Sequence, residues 1–157
     1  MLTYYAIFHS HLQYCSQIWG QPNTLYIKRI SVLQNKAMRI LSFKSPRESA
    51  SKLYADLGVL KFPDMVHLQN ILLLKNLSLN KSPDTIQNTY AVDLVRDTDF
   101  VDFYNIPDVR TVGFGKNSIR YNCILSWNAI QSLILPTKLD DFEDLKSGLK
   151  ECFLATY

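Results

Sequence analysis

Acidic residues are almost missing from the first third of this sequence. From Met1 to Ala55 the one carboxylate is Glu48, set against Lys28, Arg29, Lys36, Arg39, Lys44, Arg47 and Lys52. Cysteine is scarce too: Cys15, Cys123 and Cys152 are odd in number, far apart and without a C-x-x-C pair. That argues against a disulfide framework and against a zinc site, and it points to a reducing, intracellular setting, nuclear or cytoplasmic. No apolar run reaches the ~18 residues of a membrane span. No charged region precedes the apolar N-terminal residues, as it would in a secretory signal. Membrane is therefore not an expected partner.

What is present has the composition of a folded protein. Of 157 residues 47% are apolar and 20% charged, with nine Tyr and eight Phe, whereas disordered chains are poor in aromatics. A domain of this length buries roughly 70% of the surface its unfolded chain exposes. The net charge of +3 matters less than its distribution. Between positions 84 and 108 the balance reverses, with Asp84, Asp93, Asp97, Asp99, Asp102 and Asp108 against Arg96 alone. The chain is electrically polar, positive early and negative in its middle.

Periodicity predicts mostly helices. Leu2 to Tyr14 is apolar on most sides and reads as a buried helix ending near Trp19-Gly20 and Pro22. Met1 lies almost directly on it, which suggests a chain that starts inside a once longer domain. Asn23 or Thr24 can cap a second helix over 24–41, in which Tyr26, Ile30, Leu33, Ala37, Ile40 and Leu41 share one face. Lys28, Arg29, Lys36 and Arg39 fall within about a quarter-turn on the other side. Ser45-Pro46-Arg47-Glu48 has the pattern of a capping box opening a short helix, which Gly58 would stop. Pro63 opens a third, central helix carrying Met65, Leu68, Leu72 and Leu79 on one stripe, widened by Ile71, Leu73, Leu74 and Leu77. Ser82-Pro83 repeats the start signal.

Residues 90–122 break this pattern. Apolar residues there alternate with Asp, Pro and Gly, which predicts short strands or extended loops, with room for one hairpin. Helix returns from Cys123 to Leu133. After Pro136, Asp140 and Glu143 start a terminal amphipathic helix with Phe142, Leu145, Leu149, Cys152 and Phe153. The expected architecture is a single mainly α domain: a helical part over 1–89, a small irregular or β-hairpin insertion around 90–122, and C-terminal helices over 123–157.

No arrangement of residues suggests catalysis. Asp140-Asp141 resembles a polymerase carboxylate pair, but at a helix start two acids are better explained by the helix dipole and capping. His9 and His11, two apart on a helix, diverge by about 200° and cannot chelate together. Gly113-Phe114-Gly115-Lys116 lacks phosphate-loop spacing and reads as a turn. Cys15 and Cys123 have no base partner in view, so a buried, inert cysteine is the preferred reading. No cofactor and no metal site is expected. The basic face remains: clustered Lys and Arg bind phosphate backbones by counterion release, and a merely solvated face usually mixes signs.

A set of motifs adds to this reading. Tyr5, Ser10-His11-Leu12 with Tyr14, and Ile18-Trp19-Gly20 are followed by Leu33-Gln34-Asn35-Lys36-Ala37-Met38-Arg39-Ile40. Leu53 to Leu60 and Pro63-Asp64 come next, then Gly115-Lys116-Asn117-Ser118-Ile119-Arg120-Tyr121, Trp127-Asn128, and Phe142…Leu149…Tyr157. In this order, over essentially the whole chain, they resemble the thumb and post-thumb region of non-LTR retrotransposon reverse transcriptases of the jockey and chicken-repeat type. Each motif is weak alone, while five in order are specific. The aromatic-x-Asp-Asp turn of the polymerase centre has no counterpart here, nor do these residues include the family's upstream endonuclease. The resemblance thus implies a non-catalytic helical piece of an RNA-directed DNA polymerase, touching RNA or an RNA–DNA duplex through its backbone. The residues expected to do so are Lys28, Arg29, Lys36, Arg39, Lys44 and Arg47. Two departures stand out: Cys15 occupies a position where the family often has Gly, and Asp93 to Asp108 is unusually acidic. Trp127 reads as core and Asn128 as a local cap. The alternative is a protein-interaction or self-associating module, using an apolar surface around Tyr4, Tyr5 and Phe8.

Overall fold

The computed structural model describes residues 2–20, 24–79, 81, 83–85, 94–98, 101–131 and 142–157. They form a mainly α protein. A π-helical stretch, Tyr4–His9, runs into α-helical Ser10–Gln13, together α1. Then come α2 (Ser16–Trp19), α3 (Thr24–Leu41), α4 (Ser51–Leu57) and α5 (Phe62–Ser78). An antiparallel pair follows, β1 (Leu94–Thr98) and β2 (Val101–Tyr104), in the region expected to hold a hairpin. After a π-helical turn at Val112–Lys116 the chain ends with α6 (Ile119–Gln131) and α7 (Phe142–Ala155). The Ser82-Pro83 start signal and the Asp140-Asp141 pair fall on or beside positions outside the described residues.

The residues group into two compact units, one of Met1–Val66 with Ser147–Tyr157, the other of His67–Lys146. The first unit packs around Met38, Tyr4, Leu53, Tyr54 and Val59, with Phe8, Ala37, Leu41, Leu57 and Tyr157 against them. Two glycines shape it. Gly58 ends α4 at φ +61°, a conformation in which only glycine escapes a Cβ penalty of about 1–2 kcal/mol. At Gly20 a Cβ would lie 2.5 Å from the Ser16 carbonyl oxygen and 2.8 Å from Val66 Cγ2, so the backbone there is packed too closely for a side chain.

Three expectations about the first unit's helices need correction. α1 is not buried all round: Tyr4 and Leu12 face inward, while Leu2 is 88% and Ile7 62% exposed. The capping box does not form. Residues 45–48 make a turn closed by Glu48 N–H to the Ser45 carbonyl, and α4 starts only at Ser51 without a side-chain cap. α3 is rotated from the face its apolar residues mark. Tyr26, Leu33 and Ile40 are 61%, 55% and 74% exposed, whereas Gln34 and Met38 are fully buried. The buried polar residue decides the rotation. Gln34 Nε2 donates to the Leu60 carbonyl (2.9 Å) and to Tyr4 Oη (3.1 Å), and its Oε1 accepts from Phe62 N–H (2.9 Å). A glutamine so satisfied ties α1 and the start of α5 to α3, and turning it outward would strand buried backbone groups.

α5 belongs to both units. Pro63 sits in its first turn as expected, and Phe62, Met65, Ile71 and Leu74 are almost wholly buried. In the second unit Trp127 is core, its ring 6.1 Å from that of Tyr104 in an edge-to-face contact. Asn128 is not a local cap. Its Nδ2 donates to the Tyr104 carbonyl (3.0 Å) and its Oδ1 accepts from Tyr104 N–H (3.3 Å), so it clamps the end of β2 to α6.

Candidate nucleic-acid interface

The six basic residues read from the sequence do not form one continuous strip. Lys28, Arg29 and Lys36 are exposed on α3, within an arc of about 100°, and none forms an ion pair among the described residues. Exposed Val32 lies between them, and exposed Leu33 and Ile40 border the same arc. Arg39 is half-buried instead, because its Nε donates to the Glu48 carbonyl at 2.8 Å. Lys44 is 3.6 Å from Glu48 in a half-exposed pair, which softens its charge for other anions. Arg47 is exposed in the 45–48 turn, and Lys52 in the first turn of α4. The face therefore has an open core of three cations mixed with aliphatic residues.

Arg39 instead joins a second setting that the sequence did not reveal. In the first unit a cleft of about 360 Å³ opens between α3, the 49–51 segment with α4, and the chain entering α5. Its polar lining includes Asn35, Arg39, Ser49, Ser51, Tyr54 and Lys61. Tyr54 Oη donates to Asn35 Oδ1 at 2.8 Å, and Lys61 Nζ lies 3.4 Å from Ser51 Oγ. The Lys61 ammonium also sits 3.8 Å from the centre of the Tyr157 ring, a cation–π contact. Tyr157 Oη donates to Asp64 Oδ2 at 2.6 Å and accepts from Lys61 N–H at 2.9 Å. Burial pushes the Tyr54 and Tyr157 phenols well above the ordinary range, so both remain neutral donors.

Burial holds the Cys123 thiol up at about 12, which keeps it protonated and unreactive. Cys15 is exposed, not buried, and sits at φ +50° between α1 and α2. Among the described residues no three His, Cys, Asp or Glu side chains gather as a metal site. His9 is held below its usual range, first by burial and then by the nearby Lys150, so it stays neutral. Ser126 Oγ lies 3.0 Å from His67 Nδ1 and 3.4 Å from Asn70 Nδ2, a pairing the sequence did not suggest. Ser126 is only 4% exposed in mid-helix, which leaves a substrate carbonyl no approach to its hydroxyl, so the contact serves helix packing. No described helix is long and apolar enough to cross a membrane.

No family model, curated protein or solved structure matches the chain.

Proposed function

We propose that this chain is a non-catalytic helical segment of the retrotransposon reverse-transcriptase type, which holds RNA or an RNA–DNA duplex by its phosphate backbone through the exposed face of α3. The observation that carries the reading is the solvent-facing set Lys28, Arg29 and Lys36 on one helix, without an ion pair among the described residues and in a region of the chain almost without acids. Order and spacing of the motifs quoted above supply its family context. Phosphate contacts of this kind are tolerant of sequence and sensitive to salt. Three neutralised phosphates give a slope of log K against log salt of about −3.

The test is fluorescence anisotropy with a labelled RNA–DNA duplex across a salt series, comparing the wild type with Lys28→Gln/Arg29→Gln/Lys36→Gln. Salt-sensitive binding that the triple variant loses is the expected result. Folded wild-type protein that fails to bind at low salt refutes the proposal.

One set of observations favours a second reading, an interaction module. Leu2, Ile7 and Tyr14 are strongly exposed on and beside α1, as are Val32, Leu33 and Ile40 on α3. Apolar exposure on this scale marks association surfaces. Oligomers that persist at high salt, seen by light scattering and lost in Ile7→Lys, would favour it over nucleic-acid binding.

A further inference from the structure

The cleft beside α3 combines features that the exposed face lacks. Two cations, Arg39 and Lys61, line it together with the hydroxyls of Ser49 and Ser51 and the amide of Asn35, and no carboxylate is among its lining residues. The two neighbouring acids are engaged elsewhere: Glu48 pairs with Lys44, and Asp64 accepts the Tyr157 hydroxyl. The donors are also pre-positioned. Arg39 is anchored through Nε on the Glu48 carbonyl, which leaves its terminal guanidinium nitrogens without a protein partner among the described residues. Asn35 uses Oδ1 for Tyr54, so its amide N–H groups remain available. Lys61 is steered by Ser51 Oγ and by the Tyr157 ring. Two backbone donors at the start of α5 are already engaged, Phe62 N–H by Gln34 and Lys61 N–H by Tyr157, and the site rests on its side-chain donors.

We infer that this cleft is a binding site for one phosphate group carried by a nucleotide-sized phosphoester. Charge-assisted donors from an arginine and a lysine, backed by hydroxyl and amide donors, match the oxygens of a phosphate. A volume of about 360 Å³ lies at the small end of ligand sites, which run from ~300 to ~1,000 Å³. It is large enough for a phosphate and its sugar. The site is distinct from the Lys28, Arg29 and Lys36 face, and it stands or falls separately from the proposed nucleic-acid binding.

The test uses the whole chain, isotopically labelled, titrated with inorganic phosphate and followed by amide NMR. Saturable shifts of the Ser51 and Lys61 amides and of the Asn35 side-chain amide are expected. Ser49 is exposed, so Ser49→Glu places a carboxylate at the cleft with little risk to the fold and weakens phosphate binding by about tenfold or more. Ser45→Glu, equally exposed but outside the cleft, leaves it within about twofold. Unsaturated shifts spread over all exposed Lys and Arg, or equal effects of the two variants, overturn the inference. Competition identifies the source of the phosphate. Displacement by a 5′-phosphorylated but not a 5′-hydroxyl oligonucleotide assigns it to a strand end, displacement by both to an internal phosphodiester, and displacement by neither but by a mononucleotide to a small phosphoester. All three support the site. Saturable phosphate binding without any oligonucleotide binding would refute the proposed function and leave the cleft standing.

Discussion

Replacing Gln34 by Leu should destabilise the first unit far more than replacing its neighbour Leu33 by Gln. Periodicity alone ranks the two the other way, since Leu33 belongs to the apolar stripe and Gln34 does not. In the structure Gln34 is fully buried and holds three partners: Phe62 N–H, the Leu60 carbonyl and Tyr4 Oη. Leucine has a similar size but makes none of the three hydrogen bonds, each lost at about 1–3 kcal/mol. Its extra apolar surface returns about 1–2 kcal/mol. The net loss is about 1–8 kcal/mol, at its midpoint a large share of a total stability of ~5–15 kcal/mol. Leu33 is 55% exposed, and surface changes of this kind stay within about 0.5 kcal/mol. Urea titrations followed by circular dichroism would measure both, with the m-value checked for constancy. A Gln34→Leu loss below about 0.5 kcal/mol, or a costlier Leu33→Gln, would refute the buried network and the rotation of α3 that rests on it.

Other consequences follow from single contacts. Tyr157→Phe removes the hydroxyl that joins Asp64 to Lys61 N–H and should cost about 1–3 kcal/mol in chemical denaturation. Asn128→Leu removes both side-chain hydrogen bonds to the Tyr104 backbone and should lower the midpoint by a similar free energy, with Trp127 fluorescence reporting the loosened hairpin end. Gly58→Ala meets open space, so its cost is the left-handed backbone alone, about 1–2 kcal/mol by thermal melting. In native protein a thiol reagent should label Cys15 and Cys152 quickly and reach Cys123 only on unfolding. Cys123 also sets an alkaline dependence: its folded value, about 12, exceeds the reference 9.0, so its contribution is complete below pH 9 and is lost as pH rises toward 12. The slope is about 1.4 kcal/mol per pH unit for one thiol, and denaturation curves that do not change over this window would contradict its burial.

Local chemistry was legible in the sequence. A helix over 24–41, the stop at Gly58, the start at Pro63, the hairpin within 90–122 and the terminal amphipathic helix all follow from capping, backbone freedom and periodicity, which involve neighbours a few residues apart. The same holds for the cations of α3, because helical geometry alone brings Lys28, Arg29 and Lys36 to one side. Local signals failed where a distant partner prevailed. Ser45-Pro46-Arg47-Glu48 matches a capping box, yet Glu48 is taken by Lys44 through its side chain and by Arg39 through its carbonyl, and the segment stays a turn. No local signal marks Gln34 as buried, because the groups that satisfy it, at Tyr4, Leu60 and Phe62, lie 26 to 30 residues away. The cleft was invisible for the same reason. Asn35, Ser49 and Lys61 carry no shared motif, and only the packing of α3 against α4 and the start of α5 brings their donors to one cavity. Sequence determined which segments are helical and where positive charge accumulates; tertiary structure decided which face of each helix is buried and which cations converge, because a buried hydrogen-bond network outweighs the apolar preference of a single helix.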